Sequence, residues 1–142
     1  MVASGLLMAG KKGLIMGVAN ERSIAWGIAQ AAHSHGAELA FTYQGEALMK
    51  RVGPLAQSVG SDFVTPCDVT DHASLDRVFQ EVQSRWGKLD FAVHAIAYSD
   101  KEELKGRYID TTPANFALTM NVSCYSFKIG RASCRERVYV LV

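Results

Sequence analysis

The sequence predicts an α/β protein with a Rossmann-like, doubly wound parallel sheet. Short apolar runs alternate with longer segments of helical periodicity, and glycines stand at most of the boundaries between them. A glycine turn also joins the first apolar run to the first helical segment. Alternating strands and helices are typical of βαβ units with parallel strands. Right-handed crossovers then predict the strand order 3-2-1-4, with a ligand crevice where strands 1 and 4 diverge.

The composition favours one soluble, cytoplasmic domain. Of 142 residues, 49% are hydrophobic and 20% are charged, which suits a single domain with a substantial core. A formal charge of +1 argues against nucleic acid or an acidic membrane as partner, and no apolar stretch approaches the roughly 18 residues of a membrane span. Cys67, Cys124 and Cys134 form no C-x-x-C motif, which indicates reduced thiols.

The first βαβ unit is predicted over residues 13–43. The apolar run GLIMG, residues 13–17, reads as a strand that ends at glycine. A helix is predicted over residues 23–35, and Gly36 ends it. The stretch AELAFTY, residues 37–43, is apolar and aromatic enough for a buried second strand.

The pattern then repeats. A helix is predicted over residues 46–59, with Gly53 and Pro54 interrupting it, and SDFVTPCDV supplies a third strand that ends near Val69. The next helix runs from Asp71 to Gly87 and carries one apolar stripe. The stripe consists of Leu75, Val78, Phe79, Val82 and Trp86.

A fourth strand and a fourth helix complete the predicted elements. LDFAVHAIA, residues 89–97, reads as the strand. TTPANFALTMNVSCYSF, residues 111–127, reads as the helix, with Thr112 as its cap and Pro113 in its first turn.

The turn GVANERSIAWG is a candidate phosphate site, although it is not G-x-G-x-x-G. Gly17 would let the backbone pass close to a pyrophosphate, and the helix that follows would offer free N–H groups. Ser23 would add a hydroxyl donor, and Gly27 would let the helix lie close to the sheet. An ordinary βα turn with small packing residues is the alternative.

Four stretches in order, GVANERSIAWGIAQ, GAELAFTYQ, CDVTD and FAVHAIAY, resemble bacterial enoyl-acyl-carrier-protein reductases. This family is a divergent branch of the short-chain dehydrogenases, and the likeness covers about residues 7–127. The resemblance implies NADH as cofactor and an enoyl-acyl-carrier-protein substrate in fatty-acid elongation. It also implies a homotetramer for the full-length family.

The resemblance implies a set of cofactor contacts along the chain. These are Gly17, Ser23 and Ile24 at the pyrophosphate, Gln44 beyond the second strand, Asp68 and Val69 at the adenine, and Ala95 and Ile96 beside the nicotinamide ribose. The carboxylate of Asp68 could accept a hydrogen bond from the adenine amino group while Val69 covers the ring. A helix-cap or turn acid is the alternative for Asp68.

Tyr98 and Ser99 are the substrate contacts that the resemblance implies. Ala97 departs from the glycine that members of the family often have. Gln44 replaces the acid that would bind an unmodified ribose, and Lys50 and Arg51 could suit a 2′-phosphate. The residues alone therefore leave NAD and NADP open, and the resemblance favours NADH.

No catalytic residue and no metal site are predicted. The family uses a tyrosine and a lysine seven positions later on one helical face after a fifth strand. Tyr43 with Lys50 and Tyr98 with Lys105 have that spacing but not that context, so we reject both pairs. The histidines lie at helix ends or, for His94, in a strand, where packing is the expected role.

Residues 128–142 are predicted to be a non-native tail. IGRASCRERV, residues 129–138, resembles a one-frame translation of a sequencing-library adapter. Four of the 15 basic residues but one of the 14 acidic residues lie from Lys128 onward. A natural solvated tail and a nucleic-acid-binding tail are the alternatives.

Residues 1–127 would then be the amino-terminal part of a dinucleotide-binding domain. It would lack the catalytic groups, and the edge of its fourth strand would be uncovered, which favours aggregation. Two other functions stay open: a nucleotide-binding or partner-binding module without turnover, and a short-chain dehydrogenase with a different substrate.

Overall fold

A computed structural model describes residues 6–127 and 139–141. The strands are β1 (Lys12–Met16), β2 (Glu38–Tyr43), β3 (Val64–Pro66), β4 (Phe91–His94) and β5 (Tyr139–Leu141). The helices are α1 (Ile24–Ser34), α2 (Glu46–Ser58), α3 (His72–Trp86) and α4 (Pro113–Met120). A 3₁₀ turn (Tyr108–Asp110) precedes α4, and a π-helical turn (Asn121–Tyr125) follows it.

The strands form one parallel sheet in the order β3-β2-β1-β4-β5. The predicted α/β class and the order 3-2-1-4 are therefore confirmed. Leu14 of β1 pairs with Ala40 of β2 on one side and with Ala92 of β4 on the other. β1 is thus the central strand, next to the position where the chain changes direction across the sheet.

The sheet separates two hydrophobic layers. Ile15 faces the layer that α1 and α2 cover, whereas Leu14 and Met16 face the layer that α3 covers. This alternation follows from the two-residue period of a strand. The predicted stripe of α3 lies in the second layer, where Leu75 and Val78 are fully buried.

α2 continues through Pro54, so the predicted interruption is wrong. Proline removes one helical hydrogen bond and usually breaks a helix. Here Val52 and Ala56 on either side of it are completely buried against the sheet, while Pro54 itself faces outward. Tertiary packing of this face outweighs the local preference for a break.

β5 corrects the expectation that the edge of β4 is uncovered. Residues 139–141 pair in parallel with β4, with Tyr139 opposite Phe91 and Leu141 opposite Val93. The sequence signal was the apolar, β-branched run at 138–142, which the basic residues before it masked. The adapter-like residues 129–138 lie outside the described part of the chain.

Within residues 6–127 and 139–141, no helix combines the length and apolar character that crossing a membrane requires.

Candidate functional site

A crevice opens at the carboxyl ends of β1 and β4, where doubly wound sheets bind ligands. It consists of two adjoining cavities. The first has a volume of about 480 Å³ and extends toward the ends of β2 and β3. The second has a volume of about 690 Å³ and extends toward the start of α1 and the π-helical turn. Gly17, Ala95, Ile96 and Ala97 line both cavities.

Gly17 lies where the two cavities adjoin and lines both of them. Its φ is +107°, a conformation that residues with a side chain rarely adopt. A Cβ atom at this position would collide with the backbone carbonyl of Ala95. Glycine is therefore required both by the backbone angle and by the close approach of β1 to β4.

Ser23 precedes α1 and organises the loop before it. Its Oγ accepts hydrogen bonds from the N–H groups of Ala19 (2.9 Å) and Asn20 (3.0 Å). The same oxygen makes no capping bond to α1. The N–H groups of Trp26 and Gly27 donate to the Ser23 carbonyl, which leaves those of Ile24 and Ala25 for another acceptor, and the Ser23 hydroxyl hydrogen can also be donated.

Ile24 and Gly27, two residues near this turn for which the sequence predicts a role, lie in different surroundings. Ile24 is 81% exposed and lines the second cavity, as Ser23 does. Gly27 does not lie against the sheet: it is exposed, and a Cβ there would have no atom within 4 Å. The expectation for Gly27 is wrong because the buried face of α1 consists of Ala25, Trp26, Ala29 and Ala32.

Gln44, Asp68 and Val69, three of the contacts that the resemblance implies, line the first cavity. Gln44 Nε2 donates to Asp68 Oδ2 at 3.0 Å, while Asp68 Oδ1 accepts from the N–H and hydroxyl of Thr70. These bonds, the Thr70 hydroxyl first, lower the pKa of Asp68 below its usual value. The carboxylate is therefore ionised and fixed in place at neutral pH.

Cys67 also lines this cavity. Burial, the largest influence, raises the pKa of its thiol to about 11. The thiol is therefore neutral at physiological pH and forms part of the wall without acting as a nucleophile.

The end of β4 supplies the wall that separates the cavities. The N–H of Ala95 donates to the Met16 carbonyl at 2.9 Å, which holds this wall against β1. Ile96 follows Ala95 along both cavities, and Tyr98, half exposed, lines the first.

Ser99 lines neither cavity. Its Oγ accepts hydrogen bonds from Asn115 Nδ2 at 3.2 Å and from Thr119 Oγ1 at 3.0 Å. The side chain is therefore directed toward α4, and the geometry does not support the predicted substrate contact.

The sequence missed the contribution of α4 and the turn after it. The lining residues from this region are Leu118 and Val122 in the first cavity, and Ser123, Cys124 and Phe127 in the second. His94, expected to be a packing residue, also lines the second cavity. No local motif marks these residues, because only the return of α4 over the end of β4 brings them to the crevice.

Two basic residues that the sequence analysis considered lie outside the crevice, whereas Tyr43 and Tyr98 line its first cavity. Lys50 and Arg51 line neither cavity. Tyr43 ends β2 and Tyr98 lies in the loop after β4, so the rejected Tyr–Lys pairs share no helical face. In the described ranges, no three His, Cys, Asp or Glu side chains are grouped as metal ligands would be.

A sequence model described as enoyl-(acyl carrier protein) reductase matches residues 17–138. The chain belongs to this family. It is 66% identical over 121 residues to enoyl-[acyl-carrier-protein] reductase [NADH] 2 of Rhizobium meliloti, covering 85% of the chain and 45% of that relative. It is 55% identical over 125 residues to the Rickettsia bellii FabI, covering 88% and 47%. The chain thus spans about half the length of the curated relatives it matches.

Solved structures of enoyl-(acyl carrier protein) reductases share this fold. FabI from Candidatus Liberibacter asiaticus superposes with a TM-score of 0.87 at 56% identity, over 89% of this chain and 49% of that one. The enzyme from Anaplasma phagocytophilum, solved in complex with NAD, gives a TM-score of 0.87 at 54% identity, over 91% and 49%. The Bacillus cereus enzyme, solved with NADP⁺, gives 0.86 at 40% identity, over 89% and 50%.

Proposed function

We propose that this chain binds NADH and forms the cofactor-binding half of an NADH-dependent enoyl-acyl-carrier-protein reductase. One observation carries the proposal: the crevice at the ends of β1 and β4 unites the glycine turn, Asp68 and Ala95 in a chain of this family. The names of the relatives as NADH reductases, and the NAD complex of the Anaplasma enzyme, support it.

The dinucleotide would span both cavities. Its adenine would lie in the first cavity, where the Asp68 carboxylate can accept from the adenine amino group and Val69 can cover the ring. The pyrophosphate would pass Gly17 and meet the uncapped N–H groups of α1, with Ser23 as a further donor. The nicotinamide half would follow Ala95 and Ile96 into the second cavity.

The charges along the crevice favour NADH over NADPH. Among the described residues that line the two cavities, none is lysine or arginine. A 2′-phosphate on the adenosine ribose would have no cation to meet it there, and it would approach the ionised Asp68. An unmodified ribose carries no such penalty.

In the proposed reaction, NADH delivers hydride to the β-carbon of a 2-enoyl thioester, and negative charge develops on the thioester oxygen. A positioned hydroxyl donor must stabilise that oxygen. The tyrosine and lysine expected for this role would lie beyond Phe127. We therefore infer that the chain by itself does not turn over, and Tyr98, half exposed in the loop after β4, stays the proposed substrate contact.

Titration with NADH tests the binding proposal. We expect a saturable change in NADH fluorescence, and we expect Asp68→Ala to weaken binding by about 10-fold to 100-fold, because a hydrogen bond to a charged acceptor is worth about 1.5–3 kcal/mol. Gln80→Ala, an exposed change on α3 away from the crevice, is the control. Absence of saturation by the unmodified chain would exclude the proposal.

An assay with crotonyl thioester and NADH tests the inactivity. We expect NADH oxidation no faster than in the protein-free blank. Steady turnover that scales with protein concentration would show that the chain holds its own catalytic groups.

A nucleotide-binding module without turnover is the second candidate. It is favoured because the described residues form the cofactor crevice, whereas they provide no tyrosine and lysine on one helical face. To separate the two candidates, the chain is mixed with the remaining part of a homologous reductase. Reduction of a crotonyl thioester by the mixture would show that the chain is part of a reductase.

We also propose that residues 1–127 are the native dinucleotide-binding part and that 128–142 have another origin. The adapter-like sequence supports this, whereas the family match runs on to residue 138. Genomic sequence that continues without a break through the codons for 128–142 would refute it. The homotetramer of the full-length family likewise stays a prediction, and light scattering of the complete gene product would test it.

A further inference from the structure

We propose that His94 is a positioning residue that shapes the second cavity, where, on the proposed function, the nicotinamide half of the dinucleotide binds. The side chain acts through Ser126, which follows the π-helical turn. Together they fix this turn against the end of β4.

The bond between His94 and Ser126 has a defined direction. His94 Nε2 lies 2.8 Å from Ser126 Oγ, and Ser126 Oγ donates its only hydrogen to the Val122 carbonyl at 2.7 Å. Ser126 can therefore only accept from the imidazole, so the hydrogen is on Nε2. Ser126 is 1% exposed, so water does not compete for this bond.

A second link lies on the other side of the β4 wall. The N–H of Tyr98 donates to Ser123 Oγ at 3.1 Å. Residues 95–97, which line both cavities, thus lie between His94 and Tyr98, and each of these two residues bonds to the segment 121–127.

The segment 121–127, which contains the π-helical turn and receives these bonds, also lines the second cavity. Ser123, Cys124 and Phe127 line the second cavity, and the Phe127 ring packs edge-on against His94 with centroids 5.7 Å apart. The distance between the two walls therefore depends on the His94–Ser126 bond. π-helical turns within helices are often found at functional sites, where an extra residue changes the direction of the side chains.

The part of the first cavity where the adenine is proposed to bind is less dependent on this bond, although Val122 and residues 95–98 line the same cavity elsewhere. Gln44, Asp68 and Val69 belong to the ends of β2 and β3, on the opposite side of β1. Loss of the His94–Ser126 bond should therefore weaken the binding of a ligand that extends into the second cavity and spare a ligand that occupies only the adenine end of the first cavity.

Titration of the full chain with NADH and with AMP separates these effects. We expect His94→Leu, which has no donor, and Ser126→Ala, which has no acceptor, to weaken NADH binding about 10-fold and AMP binding less than about twofold. We expect His94→Gln, whose amide nitrogen reaches the position of Nε2, to bind NADH within about threefold of the unmodified chain. Circular dichroism of each variant checks that it is folded.

Ser58→Ala is the matched control. Ser58 Oγ also donates to a carbonyl of its own helix, that of Leu55 at 2.7 Å, but it is exposed on α2. We expect this variant to bind both ligands as the unmodified chain does.

The outcomes distinguish this inference from the proposed function. If the unmodified chain binds NADH and His94→Leu binds it equally well, or loses AMP to the same extent, the positioning role is refuted while NADH binding stands. Failure of His94→Gln to restore binding also refutes it. If the unmodified chain does not bind NADH, the proposed function fails and this inference fails with it. If His94→Leu does not fold, NADH and AMP titrations of Ser126→Ala and His94→Gln test the positioning role in its place.

Discussion

Gly17 and Gly27 lie ten residues apart in the same motif, yet the structure gives them opposite roles. Gly17 combines a φ of +107° with contact to the Ala95 carbonyl, whereas Gly27 is exposed inside α1. The motif alone suggested that Gly17 lets the backbone approach a pyrophosphate and that Gly27 lets α1 lie close to the sheet. The structure shows that Gly17 is the glycine in close contact, with the end of β4, whereas Gly27 has no close neighbour.

Gly17→Ala is expected to lower the free energy of unfolding by at least about 2 kcal/mol, because left-handed backbone costs an L-residue about 1–2 kcal/mol and the new Cβ must displace the Ala95 carbonyl. Gly27→Ala should raise it by about 0.5–1 kcal/mol, since alanine is the better helix former. Urea denaturation measures both. Equal effects of the two substitutions would contradict the assignment.

His94 should make stability depend on pH. Burial lowers the pKa of its imidazole below the usual 6.5. Below pH 6.5 the unfolded chain therefore takes up a proton that the folded chain resists. The contribution is complete above pH 6.5 and is lost as the pH falls from 6.5 through the lowered pKa of the folded state.

We expect the free energy of unfolding to decrease between about pH 7 and pH 5, and to decrease less in His94→Gln, which has no titrating group at this position. Denaturant midpoints across this range give the comparison. A variant with the same pH dependence as the unmodified chain would show that other groups cause it.

At the scale of the elements, the helices begin with different caps. Asp71 caps α3 through its Oδ1, which accepts from the Ala73 N–H at 3.0 Å, and Thr112 caps α4 through the Asn115 N–H at 3.2 Å. Ser23 leaves the first turn of α1 uncapped at the crevice. The helix that faces the proposed pyrophosphate thus begins without a side-chain cap, as does α2 after Gly45, and its Ile24 and Ala25 N–H groups remain available.

Asp71→Ala should lower the free energy of unfolding by about 1 kcal/mol, because an orphan N–H of α3 loses its acceptor. Gln80→Ala, exposed in the middle of the same helix, should stay within about 0.5 kcal/mol of the unmodified chain. Thermal denaturation of the two variants side by side tests this. A Gln80 effect as large as that of Asp71 would point to helix propensity and not to capping.

Some features of the helices can be predicted from the sequence and others cannot. The stripe of α3 and the Thr112 cap of α4 could be predicted, because periodicity and capping act within one or two turns. The sequence did not predict the continuity of α2 or the π-helical turn after α4. The first depends on burial of Val52 and Ala56 under α2, and the second forms where α4 meets the end of β4.

At the scale of the whole molecule, β5 determines whether the β4 edge of the sheet is paired. It pairs with residues 91–93 of β4 and occupies hydrogen-bonding groups that would otherwise be free to pair with another chain. The expected aggregation of the chain assumed that this edge was open.

Deletion of residues 128–142 should therefore lower the denaturation midpoint and promote self-association, because the β4 edge loses its partner. Light scattering over a concentration series, with the full chain as control, detects the change. A truncated chain that stays monomeric with an unchanged midpoint would show that β5 contributes nothing to stability.

The sequence by itself determined the α/β class, the strand order and the residues at the strand ends, because periodicity, glycine turns and crossover handedness act locally or follow general rules. The family resemblance added which of those residues belong to the crevice. The tertiary structure alone decided that Ser99 is directed toward α4, that His94 bonds Ser126, and that residues 139–141 cover β4. Each of these outcomes depends on contacts between segments far apart in the chain, and no local pattern specifies them.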